Sequence, residues 1–352
     1  MANVNTAILD ALTGHSVGLH RVSNATVRKI IALLNRSDAR LIERLSRDSG
    51  SELSRSRLEQ LLNDVRQIVA GLYADATGQL AADLDALATY EGEYQLNLLK
   101  QVVPVKLDFI APSAYQLIAA TNSRPFQGKL LQDWFKELPE QAFARLRNVI
   151  RAGVVEGRTI DQIVREVRGT RAQGFKDGIL EINRRAAEVT VRTAVAHTAN
   201  AARSELYDAN SKFIKGVQIV ATLDGRTSAV CRARDGVVYP VDSGPRPPFH
   251  PNCRTTTTPV LKSLAELGIS GRELPKGTRA SMDGQVAADT NYDAWLRKKP
   301  QAYQDQILGK AKAKLFREGL TLDRFVSRAG DELTLDELKQ QEAAIWQRAM
   351  AD

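Results

Sequence analysis

Cysteine and histidine are scarce, two and four in 352 residues. Two cysteines cannot frame a disulfide-stapled fold, and they suit a reducing compartment. Four histidines leave few options for acid–base chemistry near neutral pH. No uninterrupted apolar run approaches the roughly 20 residues a membrane helix needs, which excludes a helical membrane-spanning protein. Met1 to Leu12 lacks a basic segment followed by a long apolar one, so no secretory signal is expected. A Gly-rich phosphate loop ending in Lys-Ser/Thr and an H-E-x-x-H pair are both missing, which removes P-loop NTPases and zincin proteases. No fixed-period repeat or low-complexity tract is present. What remains is ordinary for a globular chain, with 43% hydrophobic and 26% charged residues. The length suggests two or three domains at about 100–200 residues each. The formal charge of +8 is mild. It permits contact with nucleic acid without demanding it.

The first hundred residues carry helical periodicity. Ser23 and Asn24 are candidate N-caps, followed by the stripe Val27, Ile30, Ile31, Leu34, Leu41, Ile42 and Leu45. A second stripe runs Leu58, Leu61, Leu62, Val65, Ile68, Val69, Leu72, and a third Leu80, Leu84, Leu87, Tyr94, Leu98. Turns are expected around Gly50 and Gly78, giving an antiparallel bundle whose helices pack on one another or on a partner. Prolines 104, 112 and 125 break the next stretch, with Val102 to Ile110 expected to be extended. Short apolar faces follow at Leu130 to Leu138 and at Phe143 to Ile150. Thr159-Ile160-Asp161-Gln162 fits a capping box, and a long helix is expected over Ile182 to Asn210 after a loop at Gly169 to Gly178.

The period then changes. Val217, Ile219 and Ala221 alternate with Gln218, Val220 and Thr222 as in a strand, and Val237-Val238-Tyr239 is a second β-prone run. Asp224 to Arg254 is turn-rich, with Pro259 closing it. Gly268 to Gly284 reads as an irregular linker. Trp295, Ile307, Leu308, Leu315, Phe316, Leu333, Leu335 and Leu338 fall in helical patterns. The fold class expected is α+β, predominantly α. A helical region covers 1–130, a small mixed module 131–262, and a linker with a helical tail 263–352.

Both cysteines and one histidine lie in the turn-rich segment. Cys231, His250 and Cys253 are three soft or borderline ligands for zinc, but C-x18-H-x2-C offers no obvious fourth ligand. Asp224, Asp235 and His197 join them only if folding brings them near. A Cys231–Cys253 disulfide and a Cys231–His250 nucleophile pair are further readings, the second without a visible orienting group or oxyanion donor. The preferred reading is a compact loop around buried thiols. There Asp224 and Asp235 accept turn N–H bonds, while Arg226 and Arg254 bridge carboxylates. Arg192 lies between Val191 and Thr193 on the long helix, and it is expected to face inward onto a carboxylate of this segment.

Arg145, Arg147, Arg151, Arg158, Arg165, Arg168, Arg171, Lys176, Arg184 and Arg185 outnumber the acids around them. As phosphate contacts they would need a common face, and their spacing does not supply one helical face. A solvated mixed surface is the preferred reading, with the arginines as the candidate DNA contacts. Aromatics are 6% of the chain and do not interleave with this run, so base stacking is not suggested.

Taken together, one array resembles the phage Mu F-like family of minor head proteins, also called head morphogenesis proteins. It comprises Arg192-Thr193 on a long helix, Asn200, Tyr207, the strand 216–222, Asp224-x-Arg226-Thr227-Ser228-x-x-Cys231, Asp235-Gly236 and Pro248-x-His250-Pro251-Asn252-Cys253-Arg254. Tyr292-Asp293-x-Trp295-Leu296, Leu315-Phe316-x-x-Gly319 and Leu333-Thr334-Leu335-x-Glu337-Leu338 are similar to the C-terminal region of many such proteins. The resemblance runs over roughly 140 to 340.

The resemblance implies a structural, non-enzymatic minor component of a tailed-phage head without a cofactor. Such a protein is made in the host cytoplasm and resides in the virion near the portal vertex. The implied partners are the portal protein, the major capsid protein and nonspecific double-stranded DNA, with roles in head assembly and in DNA packaging or delivery, and no membrane contact. Some relatives carry extra cysteines beside the positions of Ser228 and Thr255, which this chain lacks. The competing readings are a phage-delivered nuclease or transferase effector and a zinc-dependent nucleic-acid module.

Overall fold

A computed structural model of the chain describes residues 2–48, 54–263, 265–268 and 277–350. It is predominantly α with a small α/β region, as the pattern of periods implied, and has twelve α-helices and five short strands among the described residues. The chain forms two compact units, each discontinuous in sequence. A helical unit comprises Leu19–Tyr90 and Ile118–Ala199, and a sheet unit comprises Met1–Gly18, Glu91–Leu117 and Asn200–Asp352.

Two long helices open the chain, α1 (Ala2–Ser46) and α2 (Arg55–Val102). Ser23 and Asn24 therefore do not cap a helix, because α1 runs through them. Val4, Ile8 and Leu12 already carry the helical period upstream. Asn24 is used laterally instead, its Oδ1 accepting from Arg192 Nη1 at 2.6 Å. Gly78 is likewise no turn; it lies inside α2. Ala76 and Leu80 on either side of it are buried, and their packing outweighs the roughly 1 kcal/mol that one helical glycine costs. Gly50 falls outside the described residues.

The three expected stripes do pack on one another. Val27, Ile30, Leu34, Leu41 and Leu45 share one core with Leu61, Val65, Leu80 and Leu84. The helical unit adds part of α3 (Ala114–Ser123), then α4 (Leu131–Val155) and α5 (Ile160–Arg168). The two short apolar faces of the sequence belong to the single helix α4, which continues through Pro139. The Thr159 capping box is present: Thr159 Oγ1 accepts from Gln162 N, and Gln162 Oε1 accepts from Thr159 N. The long helix α6 spans Ile179–Ala209.

In the sheet unit, β1 (Ile214–Val220) sits between β2 (Val238–Tyr239) and β3 (Thr256–Leu261), all antiparallel. Val217 pairs with both Tyr239 and Pro259. Pro259 is thus not a terminator of the turn-rich segment but a residue of β3. An edge strand tolerates a residue without an N–H donor, and four preceding threonines supply the β propensity. The stretch 102–110 forms no strand. Instead the Asn210 amide stands in for one, its Oδ1 accepting from Ile110 N at 2.8 Å and its Nδ2 donating to Ile110 O at 2.9 Å.

Residues 268–284 are not wholly irregular either. Thr278–Ser281 forms β4 and pairs with β5 (Gly284–Ala287) in a hairpin. Positions 269–276 fall outside the described residues. Five short helices complete the unit: α8 (Tyr292–Arg297), α9 (Gln301–Leu308), α10 (Lys310–Arg317), α11 (Leu335–Gln341) and α12 (Ala343–Ala349). Tyr292, Trp295, Leu315, Phe316 and Leu338 bury their side chains together.

Candidate functional site

The segment between β1 and β3 folds into a knot around two aspartates. Asp224 follows β1, and its carboxylate receives both arms of the Arg254 guanidinium, Nη1 to Oδ2 at 2.6 Å and Nη2 to Oδ1 at 2.8 Å. Arg226 N and Thr227 Oγ1 also donate to Oδ1, at 3.0 and 3.1 Å. Burial alone would raise the Asp224 carboxyl. The Arg254 hydrogen bond and charge outweigh it, and the group lies below the usual carboxylate value. The bridging expected of Arg254 is therefore present. Arg226 bridges little: it is 85% exposed, with Nε 3.8 Å from Asp224 Oδ2.

Asp235 is the buried counterpart. Its Oδ1 accepts from Ala221 N and Arg279 Nη2, both at 2.7 Å. Its Oδ2 accepts from Tyr292 N at 2.7 Å and Arg279 Nη1 at 2.9 Å. Gly236 turns the chain at φ +83°, where a Cβ would meet Asn291 Cβ at 3.2 Å. Arg279 is 3% exposed and also donates to the carbonyls of Thr290 and Ala221. Sequence reasoning missed Arg279 because it lay in the stretch read as linker.

A sulfur–imidazole cluster lies beside the aspartates. Cys231 is the third residue of α7 (Ala229–Arg234). His250 and Cys253 are the first and last residues of one turn, closed by Cys253 N donating to His250 O at 3.2 Å. Pro251 stands second and Asn252 third with φ +58°, the residue pattern of a type II turn. Cys231 Sγ is 3.6 Å from Cys253 Sγ and 3.2 Å from His250 Nε2. Both thiols are buried against Ala221, Val230 and Phe249. The hydrogen bond between them splits the pair. It pushes Cys231 up, with burial adding to that, and holds Cys253 well below the usual thiol range with help from His250. The Cys253 hydrogen bond raises His250 in turn. The cleft at this cluster measures about 30 Å³.

Other expected members lie elsewhere. His197 is buried in the helical unit, stacked on Phe126, with Nε2 at 2.9 Å from Thr121 O. Thr193 Oγ1 donates to Val189 O. Arg192 does not reach a carboxylate of the turn-rich segment; its guanidinium pairs with Glu188 one turn earlier at 2.8 Å. The inward arginine of α6 is Arg203, about three turns on. It is fully buried, with Nε at 2.5 Å from Glu91 Oε1. His15 Nε2 lies 2.7 Å from Glu91 Oε2, Gln95 Nε2 donates to Oε1 at 2.8 Å, and Tyr207 OH donates to Gln95. The signal that could have found Arg203 is its surroundings: Ala199 and Tyr207 one turn either side offer no acid, whereas Glu188 satisfies Arg192 locally.

G-x-S-x-G is among the enzyme signatures expected to be absent, yet Gly14-His15-Ser16-Val17-Gly18 spells it. It lies inside α1, and Ser16 Oγ donates to Thr13 O at 2.7 Å. A nucleophile elbow requires a strand-to-helix turn, which a continuous helix does not provide.

The candidate DNA-contacting arginines are largely engaged within the helical unit. Arg145 binds Asn183, Arg151 pairs with Glu59, Arg158 with Glu156 and Glu166, Arg184 with Asp38 and Glu181, and Arg185 with Glu181. Arg147 lies over the Phe143 ring and Arg168 over Phe175. Arg165, Arg168 and Arg171 are exposed around the end of α5.

Residues 144–258, from α4 to β3, match the family described as Phage Mu protein F like protein. The match covers about a third of the chain, and over that stretch the chain is similar to the Mu F-like proteins. No curated protein and no solved structure matches it.

Proposed function

We propose that this chain is a structural, non-catalytic minor component of a tailed-phage head, seated at the portal vertex and touching duplex DNA without sequence preference during packaging or delivery. The family carries the coarser part of this reading, a structural role in the phage head and a place in the virion. The observation that favours a scaffold over a reaction centre is the closure of the knot. Asp224 and Asp235 spend their carboxylates on Arg254, Arg279 and backbone N–H groups. The cleft of about 30 Å³ is far below the roughly 300–1,000 Å³ of small-molecule sites.

The portal as partner follows from the family resemblance. The apolar stripes of α1 and α2 do not serve that docking, because they are buried in the unit's own core. The test is a pull-down of the tagged chain from assembling heads in DNase-treated lysate. Co-purification of the portal protein is the expected result. Its absence, together with turnover of a nucleotide or nucleic acid that folded His250→Ala loses, would overturn the reading in favour of a delivered effector enzyme.

A further inference from the structure

We propose that Cys231, His250 and Cys253 hold one zinc ion through the two sulfurs and His250 Nε2, with a water from the adjoining cleft as fourth ligand. Sequence spacing argued for packed thiols; the geometry adds what spacing cannot show. The three ligand atoms lie within 4.8 Å of one another, with separations of 3.6 Å between the sulfurs and 3.2 Å from Cys231 Sγ to His250 Nε2. A tetrahedral zinc with Zn–S of about 2.3 Å and Zn–N of about 2.0 Å places its ligand atoms about 3.5–3.8 Å apart. Little movement is therefore needed to close the ligands on the ion.

The histidine is already set for the task. Its Nδ1 lies 2.8 Å from Pro251 O. A carbonyl only accepts, so Nδ1 carries a proton, and Nε2 is the ring nitrogen turned to the sulfurs. An outer hydrogen bond of this kind orients metal-bound histidines generally. Each ligand also sits on a fixed piece of backbone, Cys231 in α7 and the other two at the ends of one hydrogen-bonded turn.

The neighbouring carboxylates do not compete. Asp224 is clamped by Arg254 and Asp235 by Arg279. The cleft, lined by Thr227, Ser228 and Thr255 hydroxyls beside Cys231 and His250, has room for a water. On binding, any proton still held by a thiol or by His250 Nε2 goes to solvent, and two thiolates with a neutral imidazole balance the charge of the ion. A disulfide would use the two sulfurs but would give the third group, the oriented imidazole, no part.

The test uses the full chain, purified under reducing conditions without chelator and dialysed against metal-free buffer. Elemental analysis is expected to find about one zinc per chain. Cys231→Ser, Cys253→Ser and His250→Ala are each expected to lose it. Because a variant could fail to fold, the wild-type chain is also stripped and titrated with cobalt. Sulfur-to-cobalt charge-transfer and tetrahedral d–d bands should saturate at about one equivalent. Wild-type protein without stoichiometric metal and with two free thiols would overturn the proposal. So would an intact mass two hydrogens lighter without metal, or metal that the three substitutions leave in place.

Discussion

Glu91 and Asp235 are carboxylates taken out of water, and each is matched by a buried arginine, Arg203 or Arg279. Removing one partner of such a pair strands a charge and costs about 3–5 kcal/mol. For Glu91 the balance is explicit. Burial pushes its carboxyl up, but the Arg203 charge and the His15 hydrogen bond hold it down at about 2, against an ordinary 4.5. A folded value below the unfolded one contributes stability above about pH 4.5, which is lost as pH falls from there towards 2. The shift corresponds to about 3 kcal/mol. Glu91→Gln should therefore unfold more easily than wild type at pH 7, by about 3 kcal/mol, and the gap should narrow steadily between pH 4.5 and 2. Urea unfolding across that range measures it; a gap that does not change with pH would contradict the ionised pair. At this scale the sequence reveals ties between near neighbours in the motif, such as Asp224 with Arg254. It conceals Asp235 with Arg279, because the partner sits in a stretch whose glycines and serine read as linker.

Helices were legible where apolar residues keep a 3.6-residue period, and their ends were legible where a cap is local. Thr159 and Gln162 form their box because both partners are four residues of one turn. Breaks were misread where a glycine or polar residue stood alone inside a helix whose flanks are buried. The same physics separates two helical glycines. Gly78 in α2 is exposed, and a Cβ there would meet nothing within 4 Å. Gly153 in α4 is buried, and a Cβ there would lie 2.5 Å from Ile163 Cγ1 of α5. Gly78→Ala should raise stability by about 0.5–1 kcal/mol, through reduced freedom of the unfolded chain. Gly153→Ala should lower it by about 1–3 kcal/mol, because α4 and α5 must separate. Chemical denaturation of the two variants decides this, and effects of the same sign would refute the packing argument. The strand β3 was missed for a related reason: Pro259 reads as a stop, and only the antiparallel pairing with β1 shows that it occupies an edge.

For the whole molecule the relevant quantity is how much of the +8 charge remains available to a polyanion. Most candidate arginines on α4 and α6 already face acids of the helical unit, so net charge overstates the surface offered to phosphate. Arg165, Arg168 and Arg171 are exposed outside these ion pairs, two of them in the last turn of α5. If these three make the phosphate contacts, the logarithm of the affinity for duplex DNA should fall with the logarithm of salt at a slope of about −3. Raising salt from about 50 to about 200 mM should then weaken binding roughly 40-fold. Reversing all three to glutamate should flatten the slope and abolish binding while leaving thermal unfolding unchanged, since none of the three is buried. Fluorescence anisotropy with unrelated duplexes at several salt concentrations reads both effects. A slope near zero, a strong preference for one duplex, or full binding by the reversed variant would show that the DNA contact lies elsewhere on the chain or does not occur.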